Sequence, residues 1–201
     1  MSWIETIPYE QSSGRLRKVY NRVKGPDGDI DNILMLHSLR PHTLDGHMRL
    51  YKNVLHHSEN KLPKTLLETV GIYVSLLNRC DYCVEHHFHG LRRLLNDDNR
   101  SDAIRTALES GDLPAAFDPR EEAILDYVKL LTETPDELTQ KNIELLRVLG
   151  VSDGEILEIN QTASYFAYAN RTVLGLGCST EGDVLGLSPG DSDDPENWQH
   201  S

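Results

Sequence analysis

The chain has 201 residues, 38% hydrophobic and 26% charged, enough to bury a core and too apolar for a disordered chain. Its net charge of −12 sets it against nucleic-acid phosphates and anionic lipid, and no apolar run reaches the ~20 residues of a membrane span. Three cysteines (Cys80, Cys83, Cys178) do not suit a disulfide-stapled secreted scaffold, and Met1-Ser2-Trp3-Ile4-Glu5 lacks a basic-then-apolar leader, so a reducing, cytoplasmic setting is expected.

In chain order, apolar residues at three-and-four spacing predict helices over Gly14–Val23, Asp31–Leu39, Pro41–His57, Pro63–Asn78, Tyr82–Leu95 and Ser101–Glu109. Gly25-Pro26-Asp27-Gly28-Asp29 reads as a turn after the first. Helix starts are marked at Asp118-Pro119-Arg120-Glu121, Thr134-Pro135-Asp136-Glu137 and Ser152-Asp153-Gly154-Glu155. Behind these starts run the apolar patterns of Ala123–Leu131, Leu138–Leu149 and Ile156–Leu176, with Gly150 and Gly175 or Gly177 as stops. No hairpin pattern or repeat is present. The expected fold is all-α, one helical domain over 1–178. It is followed by an acidic tail over 179–201, expected to be loosely ordered or draped on the surface.

The chemistry concentrates in Cys80-Asp81-Tyr82-Cys83-Val84-Glu85-His86-His87. Cysteines three apart on a helix share a face at a spacing that suits a disulfide, and His87 lies one turn beyond Cys83. Glu68 is the single carboxylate in the apolar stretch Leu66–Leu77. It needs a basic or hydrogen-bonding partner, or else lies exposed near the helix start, where negative charge suits the dipole. If the chain reverses at Asn78-Arg79, Glu68 and His87 fall at comparable depth in a helical hairpin. A thiolate near a helix N-terminus attacks a peroxide oxygen to give a sulfenic acid, which a neighbouring thiol closes to a disulfide. The competing reading is zinc, held by Cys80, Cys83 and one or two of His86, His87 and His89; no second ligand pair is obvious, and His56-His57 reads as a polar helix end. His86 and His89 read as solvent-facing or packing residues, Tyr82 as packing or a water-orienting group, and Cys178 as a small apolar filler.

Glu68, Cys80, Cys83 and His87 match the E-x11-C-x2-C-x3-H signature of alkylhydroperoxidase AhpD-like proteins, within the carboxymuconolactone decarboxylase-like superfamily. The chain resembles the peroxidase-related branch further, in Cys-x-Tyr-Cys-x-Glu-His-His and in Tyr165-Phe166, Asn170-Arg171 and Gly175-Leu176-Gly177. The likeness runs from about Trp3 to Cys178. It implies an AhpD-like helical fold, assembly as a homo-oligomer (a trimer or hexamer), and reduction of a hydroperoxide or disulfide substrate without a bound cofactor or metal. The electron donor it implies is a lipoyl-type or thioredoxin-like dithiol. By the same resemblance Cys83 attacks, Cys80 resolves, and Glu68 and His87 relay protons. Tyr82 stands where the best-understood members carry histidine. A decarboxylase-type lyase, whose relatives generally lack the cysteine pair, and a non-catalytic or metal-binding oligomer are the alternatives.

Overall fold

The computed structural model describes residues 2–194 and 196–200. Among them are nine α-helices: α1 (Gly14–Val23), α2 (Asn32–Met35), α3 (Pro41–Leu55), α4 (Lys64–Leu77), α5 (Asp81–Leu95), α6 (Asp98–Ser110), α7 (Pro119–Glu133), α8 (Gln140–Val148) and α9 (Asp153–Leu176). No strand occurs among the described residues, only isolated bridges at His57–Ser192 and Pro189–His200. The fold is all-α, as the periodicity predicts.

The central element is α4. Every residue from Leu66 to Ser75 is buried, because α5, α7 and α9 pack around it. Such a helix must be apolar on all sides, which explains the unbroken greasy run. Gly71 makes the closest approach possible: a Cβ there would lie 2.2 Å from the ring of Phe166 on α9. Asn170 of α9, fully buried, donates to Ser75 Oγ at 3.0 Å and accepts from Asn78 Nδ2 at 3.0 Å, so α9 also fixes the end of α4.

The capping boxes at Asp118/Glu121 and Ser152/Glu155 start α7 and α9. Two local readings need correction. The helix expected over Asp31–Leu39 stops at Met35 and continues as tight turns. Beyond Met35 the backbone closes i→i+3 turns, Ser38 N–H to Met35 O and Arg40 N–H to His37 O, and Pro41 disfavours a helical Arg40 before it. Thr134-Pro135 opens only a short 3-10 turn, Pro135–Glu137; α8 starts later, with a reciprocal box between Thr139 and Asn142.

The segment after Gly177 is no loose drape. Trp198 is 1% exposed and His200 5%. The Lys52 ammonium, fully buried, donates to His56 O at 2.8 Å and to two tail groups, Gly190 O at 2.5 Å and Ser192 Oγ at 3.0 Å. A buried cation without such acceptors would cost several kcal/mol by rough estimate, so tail and helices are mutually required.

Candidate active site

The α4–α5 hairpin builds the site. α4 ends at Leu77, Arg79 turns the chain in the left-handed region (φ 58°), and Cys80 caps α5. The antiparallel return brings His87 beside Glu68: His87 Nδ1 donates to Glu68 Oε2 at 2.7 Å. Glu68 is 2% exposed. Burial pushes its carboxyl up, but the facing His87, the hydrogen bond from it, and more distantly His56 and Lys64 outweigh that and leave it below the usual range. An ionised Glu68 accepts only, so the proton sits on Nδ1 and the basic nitrogen of a neutral His87 is Nε2. Phe166 meets the imidazole edge-on with centroids 4.5 Å apart, which locks its rotamer.

Cys80 and Cys83 are free thiols with sulfurs 3.1 Å apart, joined by a hydrogen bond. In this pair Cys80 is the thiol that ionises more readily. The hydrogen bond from Cys83 is the largest cause, burial opposes it, and the result is a thiol below its ordinary range. Cys83 is pushed well up by the same bond, by burial and by the neighbouring Cys80 charge, with Asn170 working the other way. Access divides differently: Cys83 lines the cavity that Glu68 and His87 also line, whereas Cys80 is fully buried behind it. That cavity is small, about 50 Å³. Tyr51, Tyr165 and His47 also line it, with Asp31, Tyr82 and His86.

Tyr82 is neither simple packing nor open to orient a water. Its hydroxyl donates to Asp183 Oδ2 at 2.6 Å and accepts from Ile33 N at 3.1 Å. His86 is likewise not solvent-facing: it is 9% exposed, stacked on Tyr82 at 4.5 Å, with Nε2 at 3.0 Å from the same Asp183 oxygen. His56, read as a polar helix end, is fully buried, with Nδ1 3.4 Å from Asp191. The imidazoles next to the cysteines in sequence therefore turn to carboxylates, His87 to Glu68 and His86 to Asp183. No three His, Cys, Asp or Glu side chains among the described residues gather as a metal site.

Asp31, Asp183, His47 and His200 were not singled out by the sequence reading. Burial pushes Asp31 up to about 7, with Asp183 adding and His86 opposing. Burial pulls His47 down to about 3 and, with His56 nearby, His200 to about 4. The one signal pointing at the tail was Trp198, a large aromatic in an acidic segment. Cys178 packs, partly exposed, against the cluster of Cys80, Tyr82, Cys83 and Val173, as a filler would.

The sequence model of the carboxymuconolactone decarboxylase family matches residues 41–130, the stretch holding α4 and α5. An uncharacterized peroxidase-related protein from Ralstonia eutropha JMP134, described as an alkylhydroperoxidase AhpD core, superposes with a TM-score of 0.76 at 21% identity over 90% of this chain and 93% of its own. The chain thus shares the AhpD-like all-α fold, and its residues 41–130 match the carboxymuconolactone decarboxylase family. A second peroxidase-related protein of this AhpD-like fold, from Silicibacter sp. TM1040, gives a TM-score of 0.69 at 24% identity over 78% of this chain and 79% of its own. The debrominase Bmp8 gives 0.70 at 17% identity over 88% and 91%. No curated protein matches the chain.

Proposed function

We propose that this protein is a thiol-dependent hydroperoxide reductase acting in a reducing, cytoplasmic compartment, with a cytoplasmic dithiol of the lipoyl or thioredoxin type as electron donor and a homo-oligomer as its working form. The observation that carries the reading is the pair of free sulfurs 3.1 Å apart, one of them lining a cavity that it shares with a Glu68–His87 pair 2.7 Å apart.

In this reading one proton of the two thiols bridges the sulfurs and the other rests on His87, whose imidazolium Glu68 steadies. Cys83 surrenders its proton to Cys80 and attacks the terminal peroxide oxygen. The S–O bond forms, the O–O bond breaks, and the departing alkoxide or hydroxide takes the proton of His87. Cys80 then attacks Cys83 sulfur; the S–S bond forms and the hydroxyl of the sulfenic acid leaves as water with the Cys80 proton. Two thiols and one hydroperoxide yield a disulfide, an alcohol or water, and water. The donor dithiol returns two electrons by exchange. The lowering of Cys80 relative to Cys83 fits this order, because Cys80 is the base that frees Cys83. Tyr82, bonded to Asp183, acts in this reading by fixing the wall beside the sulfurs.

The test is a count of free thiols, by mass, before and after a modest excess of hydrogen peroxide, with turnover followed in the presence of a dithiol. Wild type is expected to lose the Cys80 and Cys83 thiols together. Cys83→Ser is expected to be inert, and Cys80→Ser to form a sulfenic acid more slowly, having lost the base that frees Cys83, and to stop there. Glu68→Gln is expected to slow oxidation by about 10²-fold, the low end of general acid–base catalysis. Cysteines that stay reduced in wild type sink the reading.

A further inference from the structure

The cavity in front of Cys83 is lined by helical residues and by the C-terminal segment. Gly186, Leu187, Ser188 and His200 line it. Three anchors hold this segment. At the first, Asp183 accepts from Tyr82 Oη at 2.6 Å and from Asn32 N at 3.0 Å. At the second, the tail backbone crosses α5. Gly186 has φ +81°, and a Cβ on it would fall 2.9 Å from Gly90 N, so glycine meets glycine where any side chain would lift the tail away. Arg93 Nη1 donates to Gly186 O at 3.1 Å across the same crossing. At the third, buried Lys52 holds Gly190 and Ser192, and Lys64 holds Asp191 at 3.0 Å.

These anchors make the segment a fixed wall. Swinging it out would strip a buried ammonium of two acceptors and leave Tyr82 and His86 without Asp183, both unfavourable. The space left behind the wall is about 50 Å³. One water needs ~10–15 Å³ of such space, so the cavity takes about four. Hydrogen peroxide, with two heavy atoms, fits there; a hydroperoxide carrying an aryl ring does not unless the lining moves.

Resting on the peroxidase reading, we infer that the C-terminal segment, through Gly186, Leu187, Ser188 and His200, forms the specificity-determining wall of the site, and that it admits compact hydroperoxides to Cys83 ahead of bulky aryl ones. Leu187 is the wall residue to test. It is partly exposed, it lines the cavity, and its Cδ1 passes close to Gly25, where a Cβ would lie 3.2 Å from it.

The experiment measures rates of Cys83 oxidation by hydrogen peroxide and by cumene hydroperoxide, by mass spectrometry, on the full chain and on Leu187→Ala. Gly186→Ala, which displaces the wall at its crossing, is the second variant. The same proteins are labelled with N-ethylmaleimide at Cys83. In wild type hydrogen peroxide is expected to be faster by about 100-fold or more, and the ratio is expected to narrow about tenfold in Leu187→Ala, as pocket discrimination of this kind allows. Maleimide labelling is expected to rise in parallel. Equal rates for the two hydroperoxides in wild type, or a ratio unmoved in both variants, overturn the wall and leave the peroxidase reading standing. Cys83 inert to both hydroperoxides in every protein, with labelling still raised in the variants, overturns the peroxidase reading and leaves the wall.

Discussion

At the scale of single residues, the groups around the cavity titrate against one another. His47 and His200, held near about 3 and about 4, refuse protons that the unfolded chain binds below ~6.5. The stability they contribute is whole above that value and drains away as the pH falls toward their folded values. Asp31, raised to about 7, does the reverse: its contribution is whole below ~3.9, the unfolded value, and is lost as the pH rises through 7. Each proton of difference tilts stability by about 1.4 kcal/mol per pH unit, and between pH 4.5 and 6, roughly, two imidazoles outweigh one carboxyl. The protein is therefore expected to lose stability with acid. Asp31→Asn is expected to raise the urea midpoint at pH 8, where wild type buries a charge, and to match wild type at pH 5, where Asp31 already holds a proton. An advantage equal at both pH values counts against a raised Asp31. Glu68 and His87 were legible because hairpin arithmetic alone places them together. Asp31 was not, because its neighbours Asp183 and His200 lie more than 150 residues away in sequence.

At the scale of elements, the α4–α5 hairpin depends on what α9 lays against it. Gly71→Ala is the sharpest probe. Alanine gains about 1 kcal/mol of helix propensity over glycine, but its Cβ would sit 2.2 Å from the Phe166 ring. Overpacking of this kind costs about 1–3 kcal/mol, so the clash wins. Phe166 is also the edge-on neighbour of His87, and its displacement loosens the imidazole. A lower melting temperature together with slower Cys83 oxidation is expected. Gly154→Ala, where nothing lies within 4 Å, is expected to be neutral or stabilising. Most helices were legible because Asp118, Ser152 and the glycine stops carry their caps locally. The Asp31–Leu39 reading failed in its second half, where the backbone closes three-residue turns such as Ser38 N–H to Met35 O, which apolar spacing does not distinguish from a helix.

At the scale of the whole molecule, the acidic tail is the part the sequence hid. Charge, Pro, Gly and Ser are the composition of a solvated strand of chain, and they are also what docking onto Lys52, Lys64, Arg22 and Arg49 requires. Composition cannot separate the two; only the partners can, and they lie on α1, α3 and α4. The chain has two tryptophans, placed oppositely: Trp3 is 79% exposed, while Trp198 is buried with the Arg22 guanidinium 3.5 Å over its ring. The protein thus carries its own optical gauge of the docked tail. Emission excited at the indole band should hold a blue component from Trp198 above a constant red one from Trp3. In a urea titration that component should vanish at or before the loss of helical circular dichroism, and a shift that lags the helix signal would mean the indole is not where the packing puts it.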